Sequence, residues 1–140
     1  MSVQAVLLPV FVMVALTFTI MFEMGYVRVA DIKAGKTRIR DMALGQPVWD
    51  TRATQFTRNF ENQFQLPVLF YVLVAFALLT RKADLIFVVL SWVFVVCRIV
   101  HAYVHVTTNY VPYRFFIFAA GAVVLTVMWI YFAIQILIAA

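Results

Sequence analysis

Two short stretches hold most of the side chains able to do chemistry. In Arg58-Asn59-Phe60-Glu61-Asn62-Gln63-Phe64-Gln65, a helical advance of about 100° per residue places Arg58, Glu61, Asn62 and Gln65 within one face about 100° wide. Further on, Arg98, His101 and His105 follow one another at spacings of three and four, again on one helix face, and Arg114 comes soon after. A guanidinium set among apolar residues calls for a partner or a ligand, because burying it alone costs several kcal/mol. The structural alternative is that Arg58 pairs with Glu61 or a phosphate, Arg98 snorkels to the surface, and the amides join helices. His101 and His105 stand at a metal-pair spacing. Ala102 occupies the place of the Glu in hydrolytic zinc motifs, so no metal is expected.

The elements that must carry these residues are transmembrane helices. The 140 residues are 66% hydrophobic and 12% charged, with mean hydropathy +0.99, too apolar for a water-soluble domain. Each crossing of a hydrocarbon layer about 30 Å thick takes roughly 20 residues. The chain therefore reads as a single all-α domain, an integral membrane four-helix bundle with spans over 3–26, 58–79, 85–106 and 114–138. Pro9 is expected near the start of the first helix, where missing backbone donors cost least. Glu23, Gly25 and Arg28 mark that helix's end, and Ala30 to Thr57 forms a polar, part-helical loop with a turn at Gly45-Gln46-Pro47. The second span begins around Gln55 to Arg58 and runs through Pro67; Arg81 to Asp84 turns the chain, with Asp84 an N-cap for the third. Thr107 to Tyr113, with Asn109 and Pro112, leads into the fourth.

Net charge is +5, which by itself would suit nucleic acid or anionic lipid. Seven of the eleven basic residues, Arg28, Lys33, Lys36, Arg38, Arg40, Arg52 and Arg58, lie between or at the ends of the first two spans, where positive charge marks the cytoplasmic side. No nucleic-acid partner is expected. Both termini then lie outside the cytoplasm, and the polar start of helix two and end of helix three share the cytoplasmic level. The first 22 residues lack the basic start of a signal peptide and read as a retained helix. Cys97 reads as a packed thiol. No Gly-rich phosphate loop, nucleophile elbow or CxxC is present.

Together these residues resemble the MAPEG family, the membrane-associated proteins of eicosanoid and glutathione metabolism. The family's helix-two pattern Arg-x-x-x-Asn-x-x-Glu and a following Pro-containing run is similar to Arg58, Asn62 and Gln65 with Leu66-Pro67-Val68-Leu69-Phe70-Tyr71. The helix-three and helix-four pattern of its microsomal glutathione transferases resembles Arg98, His101, Arg114 and Gly121, with His105 where a Tyr is usual. The likeness covers roughly Arg58 to Trp129.

The resemblance implies a homotrimer, of bacterial type and in an inner membrane, that binds glutathione as co-substrate between subunits and takes lipophilic electrophiles or peroxides from the surrounding lipid. Glutathione offers two carboxylates, which arginines grip in a fork, and a thiol with an ordinary pKa near 8.5 that a neighbouring guanidinium makes more acidic and so more nucleophilic. By resemblance Arg58 and Asn62 hold the peptide, Arg98 and His101 line the site, and Arg114 is the catalytic thiolate stabiliser. Two departures stand out. Gln65 replaces the acid that holds the peptide's ammonium, with Glu61 on the same face a possible substitute, and His105 replaces a phenol that Tyr110 or Tyr113 would have to supply. The alternative expectation is a non-catalytic relative that binds lipid or serves as an accessory subunit of a membrane complex. A transporter role is less well supported, since neither duplicated halves nor a broken-helix signature stands out.

Overall fold

In the structure, a computed structural model, residues 1–43, 45 and 49–139 are described. They form six helices: α1 (Val3–Lys33), α2 (Ile39–Met42), α3 (Thr51–Asn62), α4 (Leu66–Leu79), α5 (Leu85–Val106) and α6 (Val111–Ala139). No strand occurs among the described residues. Four segments are long and apolar enough to cross a bilayer: α1, α3 with α4, α5 and α6. At about 1.5 Å per residue, even the 22 residues of α5 reach about 33 Å, enough for the hydrocarbon layer.

Each boundary has a local cause. Ser2 caps α1 by accepting from the Ala5 N–H at 3.2 Å, which starts the helix early and leaves Pro9 inside it rather than in its first turn. The ring lacks the N–H that would serve the Ala5 carbonyl. At its other end α1 runs on through Glu23, Gly25 and Arg28 to Lys33, well past the expected stop. Tertiary contacts support this extension: Arg28 donates to the Thr57 hydroxyl at 2.9 Å and lies over the Trp49 ring, and buried Asp31 accepts from the Asp50 N–H at 3.4 Å. Asp50 itself caps α3, accepting from the Ala53 N–H at 2.9 Å, so helix two starts at Thr51, several residues before the apolar run. That backbone bond, followed by Lys36, which forms an ion pair with it at 3.2 Å, holds the Asp50 carboxyl below its ordinary value. Of the turn expected at Gly45-Gln46-Pro47, Gln46 and Pro47 lie outside the described residues, while Gly45 has a positive φ of 69°.

Helix two is interrupted between α3 and α4, at Gln63 to Gln65. Pro67 explains the break: it has no N–H for the Gln63 carbonyl and its ring crowds that carbonyl in a regular helix. The backbone tightens into shorter bonds, Gln63 N–H to the Phe60 carbonyl and Phe64 N–H to that of Glu61, and Gln65 leaves the helical region at φ −93° and ψ −105°. Asp84 caps α5 as expected, accepting from the Phe87 N–H at 2.9 Å. It also accepts from the Tyr131 hydroxyl and, at 3.0 Å, from Gln135, which ties the start of α5 to the end of α6. Burial pushes the Asp84 carboxyl up, but these hydrogen bonds outweigh it and hold its pKa below the ordinary value.

The helices pack as an antiparallel bundle in which α5 lies most extensively on α6 and α1 contacts α3, α4 and α5. Val6, Met13, Phe70, Leu73, Phe87 and Phe94 fill the core with Leu125 and Met128, and Phe70 stacks on Phe94 with ring centres 4.8 Å apart. In lipid this packing acts through dispersion and fit, since the surroundings are equally apolar. Gly121 faces α5: a Cβ there would meet the Cys97 Cβ at 3.6 Å, an ordinary contact that leaves room for a methyl group; Cys97 is half-buried. The α3, α5 and α6 ends that carry the polar residues therefore lie at one end of the bundle, and Asp84 closes the other.

Candidate functional site

The centre of the polar end is Arg98, 1% exposed on α5. It does not snorkel. Its Nη2 donates to the Asn62 backbone carbonyl at 3.1 Å and to the Asn62 Oδ1 at 3.3 Å, while Nε and Nη1 are buried without a partner among the described residues. One turn on, His101 and His105 are also buried, rings 5.9 Å apart and nearly perpendicular, each with an unpartnered Nδ1. Arg114, near the start of α6, donates from Nη1 to Asn109 Oδ1 at 2.8 Å, and its Nε has no partner. Asn109 is positioned for this by a positive φ of 50° at the end of α5, where its N–H reaches back to the Val104 carbonyl. No carboxylate lies within ion-pair distance of Arg58, Arg98 or Arg114 among the described residues. A buried guanidinium with free donors and no acid beside it has hydrogen-bonding capacity that an anion would satisfy.

Two clefts meet at Arg114. One, of about 250 Å³, is mostly apolar and lies between Asn62, His101, Val111, Arg114, Phe115 and Phe118. The other, of about 280 Å³, is polar and is walled by Arg58, His105 and Arg114 with Thr51, Thr54 and Asn109. Among the described residues no group of three or more His, Cys, Asp or Glu gathers as a metal site would require.

The expected stripe on helix two does not point inward as a set. Arg58, Glu61 and Gln65 are exposed in the single chain, and Asn62 is half-buried. The inward face is set by Ala53 and Phe56, which carry it on to Asn59 and Gln63, both essentially fully buried. Sequence reasoning missed these two amides, although their spacing from Ala53 and Phe56 gives the signal. Asn59 donates to the Ala102 carbonyl at 3.2 Å, joining α3 to α5. Arg58 still reaches the polar cleft from its rim, whereas Gln65 lies in the break before Pro67 and, like Glu61, borders neither cleft. Tyr113 is likewise outside both clefts; it is exposed and packs edge-on against Tyr110, with ring centres 4.7 Å apart. Thus Asn62, His101, His105, Arg114 and, from the rim, Arg58 border the two clefts, Arg98 lines neither and adjoins them through its bonds to Asn62, and Glu61, Gln65 and Tyr113 do not join them within one chain.

The family model for the MAPEG family matches residues 6–134, nearly the whole chain. The chain belongs to the MAPEG family. It is accordingly a multi-pass membrane protein, with the four apolar helices of the fold as its crossings. Neither the curated proteins nor the solved structures contain a match to it. The MAPEG match takes in the whole polar end, from Arg58 to Arg114, and the residues that first suggested the resemblance lie within it.

Proposed function

We propose that this chain is a glutathione-dependent membrane enzyme that conjugates lipophilic electrophiles or reduces lipophilic peroxides, acting as a homotrimer with its polar end at the cytoplasmic face. The observation that carries this reading is the position of Arg114 in the wall shared by a polar and an apolar cleft. A peptide with two carboxylates suits the polar side, where Arg58 and Arg114 can fork to them. A water-insoluble second substrate suits the side lined by Phe115 and Phe118. The sulfur then sits at the junction, where the guanidinium favours the thiolate. The thiol proton passes to solvent, and the thiolate attacks the electrophile to form a sulfur–carbon bond and expel the leaving group. Toward a hydroperoxide the same thiolate attacks oxygen, breaking the O–O bond and releasing an alcohol; a second glutathione converts the sulfenic product to disulfide and water.

Turnover by the purified protein in lipid nanodiscs, with glutathione and a lipophilic aryl halide or a long-chain hydroperoxide, tests this. Conjugate or alcohol formation that falls at least about a hundredfold in Arg114→Ala is expected, in line with the loss of a charge-assisted donor at a developing anion. Absence of glutathione binding at millimolar concentration overturns the reading.

One observation favours a second reading. Glu61 and Gln65 lie outside both clefts, so a single chain offers no acid to the glutathione ammonium. A non-catalytic role, with the polar cleft holding an anionic lipid headgroup or the chain serving as an accessory subunit, needs no such acid. Copurification with anionic lipid, unaffected by glutathione and lost in Arg58→Ala, supports that alternative.

A further inference from the structure

Arg114, in the wall common to both clefts, is tethered through its Nη1 to Asn109 Oδ1 at 2.8 Å. The acceptor is an amide oxygen and carries no formal charge. Its orientation follows from the donor, since the reversed amide would set its own N–H groups against the guanidinium. Asn109 is fixed from the backbone side as well. Its φ of 50° lies in the left-handed region that Asn, Asp and Gly adopt most readily, and its N–H bonds to the Val104 carbonyl at 2.8 Å. The Arg114 N–H in turn bonds to the Tyr110 carbonyl at 3.1 Å, so both ends of the tether are held by the turn between α5 and α6.

A carboxylate at the same distance would grip the guanidinium more strongly but cancel most of its field in the clefts. An amide fixes the group and leaves the charge for an incoming anion. The same kind of acceptor serves Arg98, which donates to Asn62 Oδ1 at 3.3 Å, and Arg28, which donates to the Thr57 hydroxyl at 2.9 Å. Lys36 borders neither of the Arg114 clefts and is instead paired with the Asp50 carboxylate at 3.2 Å. The chain thus uses an acid to hold a cation away from the site and an uncharged oxygen within it.

We propose that Asn109 is a positioning residue of the site, an uncharged tether that holds Arg114 at the junction of the two clefts and leaves its full charge to the sulfur anion of a bound glutathione. This rests on the glutathione reading above and adds to it a residue outside the matched motif. Two substitutions separate the tether from the charge. Asn109→Asp keeps an oxygen acceptor and a residue at home in left-handed backbone but adds a negative charge; Asn109→Gly keeps the backbone and removes the acceptor.

Binding of two analogues to the full-length protein in nanodiscs, near neutral pH and at one salt concentration, reads this charge without turnover. Glutathione sulfonate carries a permanent anion at the sulfur position and S-methylglutathione carries none. Both have the same two carboxylates, so the ratio of their affinities reports on the sulfur position alone. The unsubstituted protein is expected to prefer the sulfonate at least about tenfold. Asn109→Asp is expected to bind the two equally and Asn109→Gly to keep about a third of the preference, with the unfolding midpoints of both variants little changed. An undiminished preference in Asn109→Asp overturns the proposal, because an acceptor with a merely structural role is retained there. An undiminished preference in Asn109→Gly overturns it too, since Arg114 then needs no tether. Tight binding of both analogues to the unsubstituted protein without preference also overturns it, by placing the sulfur away from the Arg114 charge. Binding of neither is a different failure: the glutathione reading itself falls and takes the proposal with it.

Discussion

At the scale of single residues, the polar end is held together by donors that are only partly used. Arg98 spends one nitrogen on Asn62 and leaves two buried nitrogens without acceptors. Replacing such a group by an apolar side chain of similar length removes both the tie and the unmet donors. Arg98→Met is therefore expected to change the unfolding free energy by no more than about 1 kcal/mol while weakening glutathione binding at least about tenfold. Thermal unfolding and ligand titration on the same preparation separate the two effects; a large loss of stability with binding intact contradicts the assignment. Asp84 behaves oppositely, since every bond it makes is structural. Asp84→Asn should destabilise by about 1–2 kcal/mol through a weaker cap and weaker bonds to α6. Because its pKa is depressed on folding, its contribution is present above the ordinary carboxylate value of 3.8 and is lost as pH falls below it. The unfolding midpoint should thus depend on pH through Asp84 only on the acidic side, and Asp84→Asn should flatten that dependence. The chemistry-bearing residues were legible from type and spacing on α5, where apolar neighbours leave one face for Arg98, His101 and His105. On helix two they were not. Polar side chains occupy both faces there, and the buried pair Asn59 and Gln63 follows from the packing of Ala53 and Phe56 rather than from polarity.

At the scale of elements, hydropathy located every crossing but not the breaks and ends. Pro67 lies in an apolar run that reads as one helix, and the break it causes sits a turn upstream, at the residue whose carbonyl it leaves without a donor. Pro67→Ala restores that N–H and is expected to slow amide hydrogen exchange across 64–68; unchanged exchange would show that another constraint opens the helix. The extension of α1 to Lys33 was hidden for a different reason: Arg28 and Asp31 look like loop residues until the start of α3 folds against them. The contact between α5 and α6 at Gly121 has room for a methyl group but for little more. Gly121→Ala is expected to be tolerated, whereas Gly121→Leu should cost about 1–3 kcal/mol by forcing the helices apart; comparison of the two unfolding midpoints checks this.

At the scale of the molecule, the fold divides the work between its ends. A dispersion-packed core and the Asp84 clasp stabilise one end, and Arg58, Arg98 and Arg114, none with a carboxylate at ion-pair distance among the described residues, gather at the other, beside two clefts of unlike character that meet at Arg114. Bundle and crossings were readable from composition because lipid imposes a uniform demand on every outward face. The pairing of a polar with an apolar cleft was not, because it depends on how the α5–α6 loop places Arg114 against Asn109 and His105. If that pairing is what makes the protein an enzyme, sulfur must ionise at Arg114. The most direct measurement is the ultraviolet difference absorbance of thiolate as glutathione is added, in the unsubstituted protein and in Arg114→Ala side by side near neutral pH. A saturable thiolate signal in the first and none in the second is the predicted result. Glutathione that binds without ionising, or a signal that survives the substitution, would contradict the account.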